Sequence, residues 1–131
     1  PLSDKLRFNG VDALSYRAAL RQHAPHLVLC SWMPMGIDWS ADFRRCESTQ
    51  EYLLLGEVFD GACGHNFHTW GNPSFAEEMA EQGTLRSPHE ADGWTMHEVH
   101  DVTRWQLSRF ATDEADCEWN SCCVSFRRGR G

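Results

Sequence analysis

Two stretches of this chain bring reactive side chains close together. Glu57 and Asp60 follow directly on the aliphatic run Tyr52 to Gly56, and Cys63, His65 and His68 follow in a glycine-flanked loop. Burial at a strand end favours the neutral form of a carboxyl group and moves it towards the range in which a general base works. Glu57 is therefore the first catalytic candidate, and Ser31, which ends the run Leu27 to Ser31, is the second. Ser31 lacks the G-x-S-x-G elbow, which argues against a hydrolase. Thiolate and imidazole in the order C-x-H-x-x-H suit zinc or copper. No fourth ligand is identifiable, so structural hydrogen bonding competes for Cys63, His65 and His68 and no metal is expected. Trp32, Met33, Pro34 and Trp39 could wall a pocket for a planar substrate; the competing role is cover for a sheet edge. Further on, Met96 to Asp101 reads H-E-x-H, one residue short of the zincin spacing.

These residues need elements to hold them. Continuous apolar runs bounded by Pro and Gly and separated by a helix-length segment read as buried strands of a parallel sheet, so the candidate side chains fall at strand C-terminal ends. That is where open α/β sheets bind ligands. Residues 10–24 read as a helix ended by Pro25, a short helix capped by Ser40 follows, and the strand at 51–56 completes a crossover. Pro73 starts a helix over 74–82, Thr84 to Gly93 reads as a surface loop, and Trp94 to His100 alternates as a half-buried strand. Arg104 to Phe110 and Cys122 to Arg127 complete a terminal antiparallel hairpin around the acidic loop at 112–118.

At 131 residues the chain is a single α/β domain, large enough to bury roughly two-thirds of its unfolded surface. A formal charge of −7 repels a phosphate backbone, so nucleic acid is not an expected partner. No run approaches the roughly 20 apolar residues of a membrane helix, and none has the form of a signal peptide. A soluble intracellular protein with reduced thiols follows; Cys117 could pair with Cys122 or Cys63 in an oxidising compartment. The basic end, Phe126 to Gly131, reads as a solvated tail.

The element order resembles the C-terminal half of the class I S-adenosylmethionine-dependent methyltransferases, whose seven-stranded Rossmann-like sheet has its last strand inserted antiparallel. Gly10 to Leu14 resembles the segment after the third strand, Leu27 to Pro34 the fourth strand with its following motif, Tyr52 to Glu57 the fifth, and Trp94 to Arg127 the closing strands. The wording SWMPMGIDW, EYLLLGE and TWG is similar to a eukaryotic group of methyltransferase-like proteins. The resemblance implies a partial Rossmann-like sheet, S-adenosylmethionine as cofactor, Asp12 and Ala13 beside its adenine, and Trp32, Met33, Pro34 and Trp39 at the substrate. Without the methyltransferase, Asp12 is simply a carboxylate favoured at a helix N-terminus.

Two departures qualify that expectation. No G-x-G-x-G occurs, so the turn that lets backbone approach the cofactor is absent, and Cys30 to Pro34 lacks the Asp or Asn that accepts from a substrate amine. The chain is expected to be a methyltransferase-like domain without its glycine-rich cofactor half, complemented by a partner protein or N-terminal half. The alternatives are a non-catalytic assembly subunit whose open sheet edge another chain covers, or a metal-binding module through Cys63, His65 and His68.

Overall fold

The computed structural model describes residues 10–58, 62–72, 86–106 and 121–129. Eight elements follow in the order α1 (Tyr16–His23), β1 (Leu27–Ser31), α2 (Ser40–Arg45), β2 (Glu51–Glu57), α3 (Pro88–Ala91), β3 (Trp94–Glu98), α4 (His100–Thr103) and β4 (Ser121–Arg128). The strands form one mixed sheet in the order β1-β2-β4-β3. β1 and β2 are parallel, as two apolar runs linked by a helix should be. β4 is antiparallel to both β2 and β3, so β3 shares the direction of β1 and β2.

Several boundaries depart from the sequence expectation. The first helix begins at Tyr16 rather than at residue 10, because the Ser15 hydroxyl accepts from the Ala18 N–H at 3.3 Å and fixes the start there. Ala24, at φ 41°, closes it before Pro25. Residues 84–93 are not all loop: Ser87 and Glu90 form a reciprocal capping box around the short α3. The strand expected over 104–110 does not begin at 104, because residues 100–103 are helical and Arg104 and Trp105 lie in the turn that follows. Residues 107–110 lie outside the described residues, as do the helix expected at 74–82, the acidic loop at 112–118, Asp60 and Cys117. The terminal hairpin is corrected accordingly: β4 takes β2 and β3 as its antiparallel neighbours.

Burial also corrects the reading. β2 alternates between buried and half-buried, whereas β1 is an edge strand with Leu27 53% and Leu29 67% exposed. In β3 only Trp94 is buried, so this second edge strand is wetter than a half-buried strand should be. Within the basic end, residues 126–128 are not a solvated tail but part of β4: Phe126 is fully buried, and Arg128 donates to the carbonyls of Thr49, Arg44 and Cys46.

The core sits on one face of the sheet. Register aligns Val28, Tyr52 and Phe126 across three strands, and Cys30, Leu54 and Val124 one pleat further on. Tyr52 stacks on Phe126 at 4.6 Å between centroids and meets Trp94 at 5.2 Å and Phe43 of α2 at 5.8 Å. Phe43 in turn meets Tyr16 of α1, which stacks on Trp39. Such pairs add to the burial of large apolar areas and fix ring orientation. Burial pushes the Tyr52 hydroxyl up to about 12, so it stays protonated beside Arg44.

His89 lies under the far end of this core, its ring edge-on to Phe126 at 5.0 Å, and burial lowers its pKa. The unfolded chain takes up that proton near its ordinary value of about 6.5 while the folded chain does not, so stability must fall as pH drops below that value. Glu51 and Glu90 have carboxyl groups lowered by hydrogen bonds from Ser125 and Ser87, so their contribution is present above the ordinary carboxylate range and lost at lower pH. Denaturant melts between pH 8 and 5 should show the first loss, and His89→Gln should flatten it while leaving the acid limb unchanged.

Candidate functional site

The C-terminal ends of β1 and β2 carry the residues singled out for chemistry. Ser31 pairs in register with Leu55, so Ser31 and Glu57 share one face of the sheet, two residues apart along the strand direction. Ser31 is exposed, whereas Glu57 is only 1% exposed, its Cα opposite Ser121 of β4. The carboxyl group is thus buried at the strand end, as the sequence anticipated.

Chain direction changes abruptly after Ser31. Trp32 donates its N–H to the Leu55 carbonyl at 2.8 Å and then adopts φ 54°, a left-handed conformation that a bulky side chain rarely takes. The indole is left 43% exposed. Backbone outliers of this kind cluster at ligand sites because the surroundings must over-determine them. The turn also separates the four expected substrate residues. Met33 turns inward and is buried in the core, Trp39 is half-buried against Tyr16, and only Trp32 and Pro34 remain at the surface.

Residues 62–72 pack onto residues 32–39 through backbone and side-chain bonds. Gly64 donates to the Met33 carbonyl at 3.0 Å, and the Gly64 carbonyl accepts from Gly36 at 2.8 Å. Asp38 Oδ1 accepts from the Ser40 N–H, the Ser40 hydroxyl and the Thr69 hydroxyl, joining the start of α2 to the second loop. Thr69 Oγ1 also accepts from the His65 N–H. The Trp70 indole donates to the Cys63 carbonyl at 2.7 Å. Gly64 has to be glycine on two counts: φ is +64°, and a Cβ would lie 2.9 Å from Thr69 Cγ2. Neither Asp38 nor Thr69 was singled out by sequence; the D-x-S spacing of an Asx turn before a helix was the available signal for Asp38.

The C-x-H-x-x-H residues serve this packing. Cys63 is buried against Gly56, where a Cβ would stand 2.7 Å from its sulfur. His65 uses Nδ1 to accept from the His68 N–H at 3.1 Å, and the two rings lie 4.4 Å apart. Among the described residues no group of three His, Cys, Asp or Glu side chains could hold a metal ion. Burial, with Cys63 nearby, raises the Cys30 thiol to about 11.

Asp12 and Ala13 lie apart from this cluster. Both are exposed ahead of α1, and Asp12 Oδ2 lies 3.5 Å from Nε2 of His23, at the end of α1 that leads into the start of β1. The structure therefore brings together Ser31, Trp32, Met33 and the Cys63–Trp70 loop at one end of the sheet and places Asp12 and Ala13 towards the other. Comparison with protein-family models, with curated proteins and with solved structures finds no match to this chain.

Two variants test how the loops are held. Asp38→Ala should cost about 2 kcal/mol by leaving buried donors without an acceptor, and hydrogen exchange at the Gly36 and Gly64 amides should speed up in parallel. Gly56→Ala should cost about 1–3 kcal/mol through overpacking against Cys63, and adding Cys63→Gly should recover part of the loss in denaturant melts.

Proposed function

We propose that this chain is the substrate-side half of a methyltransferase-like sheet, acting on a methyl acceptor only when a segment with a glycine-rich cofactor turn completes it. The observation that carries the reading is topological. The last strand in sequence, β4, is antiparallel and inserted between β2 and β3, while β1, β2 and β3 run in one direction. A reversed, inserted last strand is a feature of the sheet that the element order resembles. The unusual side chains at the ends of β1 and β2 lie where such a sheet receives ligands. In this reading S-adenosylmethionine supplies the methyl group, Trp32 and Pro34 face the acceptor, and Glu57 receives its proton. The inward position of Met33 leaves its acceptor-side role, and the placement of Asp12 towards the other end of the sheet leaves the adenine-side role of Asp12 and Ala13, to a rearrangement on completion.

Titration calorimetry with S-adenosylhomocysteine provides the test. The chain alone should give no saturable heat, and the native protein or complex that also contains a strand and glycine-rich turn should bind. Absence of binding by the completed assembly would remove the proposal.

The exposure of Leu27 and Leu29 on edge strand β1 favours a second reading, an assembly subunit that pairs through this strand without catalysis. Light scattering combined with amide exchange separates the two. A monodisperse monomer with slow exchange along β1 would count against assembly.

A further inference from the structure

Beside the core, between α2, α3 and the edge formed by β3 and β4, lies an open cavity of about 610 Å³. Its lining inverts the charge of the molecule. Among the described residues Arg44, Arg45, Arg86 and Arg128 face only Asp38 and Asp92 there, in a chain whose formal charge is −7. Both carboxylates are already engaged: Asp38 Oδ1 accepts three hydrogen bonds and Asp92 Oδ2 accepts from Arg44 Nε at 2.6 Å.

The arginines are not equivalent. The Arg44 side chain is 3% exposed and fixed through Nε to Asp92 and through Nη1 to Ser40 and Tyr52, while no hydrogen bond to a described residue engages its Nη2. Arg128 is fixed through Nε and Nη2 to three backbone carbonyls, with its guanidinium 4.7 Å from the centre of the Trp94 ring. Its Nη1 has no hydrogen-bond partner and its charge no carboxylate partner among the described residues. Arg86 is exposed at the same cavity. Two guanidinium groups pre-set by their own anchors, each with donors to spare, match the fork geometry by which arginine holds an oxyanion. The volume is that of a small-molecule site.

We propose that this cleft binds a small ligand through a phosphate or carboxylate group, held by Arg44 and Arg128 on the buried side and by Arg86 at the exposed side. The site stands independently of methyl transfer, and its test contains no S-adenosylmethionine. Calorimetric titrations of the chain at low ionic strength, one with inorganic phosphate and one with succinate, should give saturable binding to at least one probe. Tighter phosphate binding assigns a phosphoryl group and tighter succinate binding a carboxylate. Arg86→Ala should weaken binding about tenfold, the loss of one charge-assisted contact. Ala41→Glu, which places a carboxylate on the cavity wall at the start of α2, should abolish it, with circular dichroism reporting that both variants fold. Arg17→Ala, outside the cavity, should bind as the parent does. No saturable heat with either probe up to about 10 mM, or an equal loss in Arg17→Ala, would overturn the site.

Discussion

A guanidinium group withdrawn from water has to find partners for its charge and its hydrogens, and Arg44 sets that requirement at the centre of this fold. Its Nε reaches Asp92, just after α3, its Nη1 reaches Ser40 and Tyr52, and its carbonyl accepts from Arg128 of β4. One buried side chain on a six-residue helix thus ties α2 to the central strand and to the segment after α3, and its backbone adds the last strand. Removing it would leave Asp92 and the Tyr52 hydroxyl without their partner. The carbonyl that accepts from Arg128 belongs to the backbone of α2 and would survive a replacement of the side chain.

The loops at the strand ends follow a different logic. They have little regular structure, so their positions depend on side chains and backbone groups that substitute for a ladder. Asp38 acts as a three-way acceptor, Gly64 is both donor and acceptor across the two loops, and Cys63 fills the space opposite Gly56. Such an arrangement can hold Trp32 at a positive φ against its steric preference, because releasing it would break the bond to Leu55 and the packing of Met33 together. The exposed Trp32 is therefore positioned by contacts that its two neighbouring loops make with each other.

Sequence patterning located the two parallel strands, the helix between them and a last strand near residues 122–127, because apolar runs and Gly or Pro punctuation report directly on backbone pairing. It could not report which strands would be edges. Leu27 and Leu29 spell a buried strand as well as Leu53 and Leu55 do, and only the sheet order separates them. α3 was hidden inside a stretch that reads as loop, although Ser87 and Glu90 carry a legible capping box. The burial of Glu57 at the end of β2 was legible. The inward turn of Met33 and the use of His65 to hold His68 depend on partners far along the chain. Arg44 and Arg128 gave no signal at all, since nothing in a polar helix end or a basic terminus announces burial.

The insertion of β4 between β2 and β3 has a consequence for how the molecule comes into being. Strands β1 and β2 can pair as soon as both have left the ribosome, but β3 has no neighbour among the described strands except β4. Residue Glu51 must wait for Arg127, its register partner, across 76 positions of chain. Contacts of such sequence separation are slow to form because loop closure precedes the reward of pairing. Until the final strand is synthesised, β2 carries an open inner edge and Tyr52 lacks the ring on which it stacks. The nascent chain therefore passes through a period in which the strand that carries Tyr52 is its least protected one, and the eight-residue β4 acts as the keystone that closes the sheet.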